Sequence, residues 1–81
     1  MSIQNQVKKI IKNLCGAEKV HVKETLIGDL AMDSLSMVTL LVELEDSFKI
    51  TFAENDMNPF DLITVADVIA LVQKYEEAAH G

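Results

Sequence analysis

Leu30-Ala31-Met32-Asp33-Ser34-Leu35-Ser36-Met37-Val38-Thr39-Leu40-Leu41-Val42-Glu43-Leu44-Glu45-Asp46-Ser47-Phe48 is the stretch whose reading decides the fold. Asp33-Ser34 marks a helix start, and the β-prone Ile50-Thr51-Phe52 marks its end, so a helix is predicted over 34–48. At about 100° per residue, with Leu35 at zero, the apolar side chains sweep an arc of roughly 220°. That is about twice the stripe that packing against a small bundle requires. Leu40, Leu44, Met37, Phe48 and Leu41 occupy the centre of the arc and read as core. Val38 and Val42 lie at its margin, where Glu45 is wedged in, and Leu35 closes it. A charge at that edge implies water, which makes Leu35, Val38 and Val42 an accessible apolar ridge rimmed by Glu45 and Asp46. Periodicity alone leaves open that these valines pack under a loop instead.

Outward from this helix, Ile3, Val7, Ile10, Ile11 and Leu14 form one helical stripe, with Ser2 as its N-cap and Gly16 as its stop. Residues 17–33 lose the helical period and read as a long, functional loop anchored by Val20, Val22, Leu26, Ile27 and Leu30. Residues 53–62 hold Asn55, Asp56 and Asn58-Pro59, enough for a short helical turn and the expected place of lowest local stability. A last helix starts at Thr64, with Asp67 completing a capping box and Val65, Val68, Ile69, Val72 and Tyr75 as its stripe. Residues from about 77 read as a fraying tail. The fold class is all-α: a single domain over 1–81, a small four-helix bundle of three main helices plus a short third one, with a long loop between the first two. Leu44, Phe48, Ile50, Phe52, Phe60, Leu62, Val65 and Ile69 are expected to fill much of its interior.

Eighty-one residues allow one compact domain and leave little room for a self-contained active-site cleft. The charge is −6 and uneven: residues 1–23 carry five Lys against one acid (+4), residues 24–81 two Lys against twelve acids (−10). With no Arg and this acidity, binding to a nucleic-acid backbone is disfavoured. The longest apolar run, Val68 to Val72, is far short of a membrane span, and the first twelve residues lack an apolar signal region. Cys15 has no internal partner, which suits a reducing, cytoplasmic setting and a small apolar role in the first helix.

Ser34 at a helix start has two readings. It caps the free N–H groups, or it carries an anionic group that the helix dipole favours. Two capping-type residues in succession, Asp33 and Ser34, are one more than a cap requires. Leu30-Ala31-Met32-Asp33-Ser34-Leu35, followed by Val38, Leu41-Val42, Leu44-Glu45, Phe48 and Ile50, resembles an acyl carrier protein over nearly the whole chain. The resemblance implies a covalent 4′-phosphopantetheine on Ser34, installed from coenzyme A by a separate phosphopantetheinyl transferase that reads Asp33 and Leu35. It further implies that Val38, Val42, Glu45 and Asp46 dock basic client enzymes: an acyl-loading ligase or acyltransferase, a ketosynthase, or other acyl-processing enzymes. The chain would then be a monomeric carrier of thioesters and no enzyme, its interior either opening between the second and third helices for an acyl chain or forming an ordinary closed core.

Two departures are informative. Ala31 stands where the family usually has Gly, and Ser36 and Thr39 replace residues that are commonly acidic in carriers of fatty acid synthesis. Ala31 implies mild backbone strain, while Ser36 and Thr39 point to a specialised pathway (polyketide, nonribosomal or ligase-loaded), with housekeeping fatty acid synthesis as the alternative. A non-prosthetic helical adaptor, in which Ser34 is only a cap, is the reading from another class. A Ser34, His21 and Asp29 or Asp33 catalytic set lacks an oxyanion hole, so no catalytic residue is assigned. The acids do not fit a calcium loop, so no metal site is assigned either.

Overall fold

Each end of the first helix is closed by the residue whose chemistry suits it. In the computed structural model, which describes residues 2–58 and 61–80 with side chains through Ala78, α1 spans Ile3–Cys15. The Ser2 hydroxyl accepts the Asn5 N–H at 3.2 Å, and Gly16 takes φ 74°, where it donates to the Lys12 carbonyl at 2.8 Å. Helix α2 spans Ser34–Phe48 and α3 spans Val65–His80. The Thr64–Asp67 box is reciprocal. Asp67 N–H donates to the Thr64 hydroxyl at 3.2 Å, while Thr64 N–H donates back to the Asp67 carboxylate at 3.0 Å.

The core follows the stripes. Val7 and Ile11 of α1, Met37, Leu40, Leu41 and Leu44 of α2, and Val65, Val68, Ile69 and Val72 of α3 are buried together, with α1 packed on both of the other helices. Phe52 and Leu62 join this core as expected, Phe48 and Ile50 pack against it half-buried, and Phe60 lies outside the described residues.

The short helical turn expected within residues 53–62 is a 3-10 turn at Glu54–Asp56. Helix α3 runs through His80, across the start of the tail expected from about residue 77. One expectation needs correction. Ile27 is no loop anchor; it is 51% exposed, while Val20, Leu26 and Leu30 are buried and Val22 is half-buried.

The long loop is held by α3 rather than by elements of its own. Val65 and Ala66, whose N–H groups have no partner inside their own helix, donate to the carbonyls of Glu24 and Val22 at 3.1 and 2.9 Å. Leu26 N–H donates to the Ile63 carbonyl at 2.9 Å, beside an isolated antiparallel bridge between Thr25 and Thr64. No strand occurs among the described residues. The 3-10 turn is pinned from the opposite side. Tyr75 OH donates to the Asp56 carboxylate, accepts the Ala53 N–H at 2.7 Å, and its ring meets Phe52 edge-on at 5.0 Å.

Candidate functional site at the start of α2

The approach to α2 is built from a backbone that dips and resurfaces. Thr25 and Asp29 clasp each other, N–H to side chain in both directions, at 2.8 and 2.9 Å. Gly28 sits inside this clasp, where a Cβ would lie 2.7 Å from the Thr25 hydroxyl oxygen. Leu30 and Met32 then plunge into the core, 8% and 3% exposed, with Ala31 between them at φ 55°. That left-handed value costs an L-residue energy which Gly would not incur, so the departure noted at Ala31 is a real local strain. Met32 was absent from the anchors expected of the loop, although the alternation Leu30-x-Met32 carried the signal.

Burying Met32 forces the next two residues to the surface. Asp33, not Ser34, is the N-cap of α2: its carboxylate accepts the Ser36 N–H at 2.7 Å, with φ −93° and ψ 178°. Ser34 is therefore the first helical residue, exposed, with a hydroxyl in no hydrogen bond among the described residues. Helix geometry directs the unpaired N–H groups of this first turn outward beside it.

The Ser36 backbone N–H, and then its hydroxyl, hold the Asp33 carboxyl below its ordinary value of 3.8. Backbone N–H groups at Thr64 and Ile63 do the same for Asp67, and the Tyr75 hydroxyl followed by Lys74 for Asp56. A carboxyl with a depressed folded-state pKa stabilises the fold above its unfolded pKa and loses that contribution as pH falls through the folded one. The urea midpoint should thus hold steady from pH 7 to about 5 and fall below about pH 4. Asp67→Asn should flatten the acid limb; an unchanged slope would remove Asp67 from this account.

The ridge on α2 is where the helical wheel put it. Leu35 is 74% exposed, Val42 53% and Val38 46%, and Asp46 is exposed on the rim. Ile27 and Ile63 are two further exposed apolar residues. Glu45 differs from expectation. Its carboxylate is half-buried and accepts the Phe52 N–H at 2.8 Å, so it clasps the segment after α2 instead of standing free. The Ser/His/Asp set does not assemble: Asp29 is committed to Thr25, Asp33 to Ser36, and no hydrogen bond joins Ser34 to His21. No group of three or more metal-ligating side chains occurs among the described residues.

Residues 5–72 match the family model of the phosphopantetheine attachment site. The chain is also 40% identical over 76 residues to an acyl carrier protein of Chlamydia muridarum, covering 91% of this chain and 96% of that one. The chain belongs to the acyl carrier protein family. A meromycolate extension acyl carrier protein of Mycobacterium tuberculosis is 36% identical over 73 residues, which are 88% of this chain and 62% of that longer protein. A solved structure described as an acyl carrier protein of Mycobacterium tuberculosis superposes with a TM-score of 0.81 at 27% identity, covering 90% and 97% of the two chains. Membership makes the chain a carrier rather than an enzyme, and phosphopantetheine its cofactor. The start of α2 fits such a group, since it offers a free, exposed hydroxyl at a helix end that favours anions. No helix among the described residues is long and apolar enough to cross a membrane.

Proposed function

We propose that Ser34 Oγ is the attachment point of 4′-phosphopantetheine and that this carrier hands acyl groups between enzymes along its α2 ridge. The observation that carries this reading is the division of labour at the helix start. Asp33 performs the capping, so Ser34 is spared for esterification without loss of any native hydrogen bond. The Ser34 hydroxyl gives up its proton as its oxygen bonds the pantetheine-side phosphorus of coenzyme A, the pyrophosphate P–O bond breaks, adenosine 3′,5′-bisphosphate leaves, and the first-turn N–H groups of α2 favour the negative charge of the phosphodiester so formed. When bound, the arm supplies a thiol that holds acyl groups as thioesters; Cys15, half-buried in α1, takes no part.

Leu35, Val38 and Val42 supply apolar contact for a phosphopantetheinyl transferase and for acyl-loading ligases, acyltransferases or ketosynthases, while Asp33 and Asp46 orient basic surfaces. Glu45 keeps only part of its charge available, because one oxygen serves Phe52. Uncharged Ser36 and Thr39, the latter bonded through its hydroxyl to the Leu35 carbonyl at 3.0 Å, thin the acidic face. This supports service in a specialised pathway, polyketide, nonribosomal or ligase-loaded, over housekeeping fatty acid synthesis. We place that work in the cytoplasm, as a monomer.

Intact mass after incubation with coenzyme A and a broad-specificity phosphopantetheinyl transferase tests the attachment. One phosphopantetheine should be gained by the natural chain and none by Ser34→Ala. An unchanged mass with several competent transferases would instead favour a non-prosthetic adaptor.

A further inference from the structure

The basic part of the chain forms a cleft that plays no role in the proposed carrier chemistry. A recess of about 560 Å³ between α1 and the loop after it is walled by Lys8, Lys9, Lys12 and Lys19, with Val20 beneath and Glu18 as the one carboxylate among its lining residues. None of the residues placed around Ser34 lines it. Four of the seven lysines of an acidic chain therefore face one concavity. None of the four ammonium groups has an ion-pair or hydrogen-bond partner among the described residues. Lys8 and Lys12 are one helical turn apart, a like-charge spacing that opposes helix formation, although Lys12 in the last turn of α1 also complements the helix dipole.

The occupant follows from what the walls offer and lack. Ammonium groups bind phosphate as point charges, and the recess lies within the size range of small-ligand sites, roughly 300–1,000 Å³. Asn5 and His21 complete its lining, no Phe, Tyr or Trp lines it and the chain has no Arg, so it lacks the large aromatic and Arg anchors usual at a protein interface. The net charge of −6 repels extended polyanions and anionic bilayers. A compact anion inside the recess, by contrast, sits well within the screening length of about 8 Å from the lysines. We infer that this cleft binds a compact polyphosphate, an anion with clustered phosphate groups that matches four ammonium groups less one carboxylate.

Amide chemical-shift titration of the full chain with sodium tripolyphosphate, at physiological salt, tests this. Saturable shifts should appear in residues 5–21 and leave α2 unmoved. The Lys8→Gln/Lys12→Gln double variant should bind at least about tenfold more weakly. Lys23→Gln, which removes the same charge from the same segment but not from the cleft, should stay within about twofold. Glu18→Gln should bind more tightly, a gain that no folding defect can mimic. Shifts that fail to saturate, spread over α2 and α3, or persist in the double variant would overturn the inference. So would tighter binding to phosphatidylserine vesicles or to a polyglutamate peptide than to tripolyphosphate, the first indicating a membrane surface and the second an acidic partner.

Discussion

Leu44→Ala should lower the stability of the fold by about 3 kcal/mol, within the range for truncating a fully buried leucine. Leu44 is 0% exposed and is one of four residues, with Met37, Leu40 and Leu41, that hold α2 in the core. A chain of this length has a total stability of order 4–12 kcal/mol, so one cavity removes a large share of it. Urea unfolding followed by circular dichroism should show an earlier midpoint with an unchanged slope. Val42→Ala, on the same helix but 53% exposed, should stay within about 0.5 kcal/mol of the natural chain. Equal shifts for the two variants would contradict the division of α2 into a core side and a ridge. The consequence reaches function, because α2 carries Ser34 at its first turn and a helix that leaves the core no longer presents it.

What was legible in the sequence is what is local. Ser2, Gly16 and the Thr64–Asp67 pair act on backbone groups three or four residues away, and each closes its helix as its chemistry requires. The two sides of α2 were legible for the same reason: a helical wheel needs only the order of residues, and it separated Met37, Leu40, Leu41 and Leu44 from Leu35, Val38 and Val42. The loop was less legible because its partners are distant. Leu26 faces inward and Ile27 outward on account of a hydrogen bond to Ile63, and no periodicity in residues 17–33 encodes that choice. Glu45 was placed correctly around the helix, but the return of Phe52 N–H to its carboxylate is set by the left-handed turn at Lys49, φ 54°. At the site itself, Asp33 and Ser34 are adjacent residues of equal capping aptitude, and propensity cannot rank them. Burial of Met32 one residue earlier fixes the frame, giving the cap to Asp33 and the free hydroxyl to Ser34.

Val38→Asp and Val42→Asp should each reduce kcat/KM for acyl delivery to a client enzyme by about a hundredfold, chiefly through KM. Burying a valine against a partner contributes up to about 1.5–3 kcal/mol, and a carboxylate in its place adds a desolvation cost. A hundredfold corresponds to about 2.7 kcal/mol, within reach of one central contact at a small interface. The effect should fall on KM, because a docking ridge as proposed would grip the client equally before and during the chemistry. Rim charges should behave otherwise. Asp46→Asn, at an exposed position, should slow encounter several-fold at low salt and lose that effect as salt rises, since such groups act mainly by steering. Glu45→Gln retains an oxygen for the Phe52 N–H and should leave the fold intact, whereas Glu45→Ala should accelerate hydrogen exchange at Phe52. Both Asp variants replace side chains about half-exposed in the free carrier, so their thermal unfolding should match that of the natural chain. Natural delivery rates in folded Val38→Asp and Val42→Asp proteins would move the docking surface off α2. Exposed Ile27 and Ile63 would then be the apolar residues to substitute next.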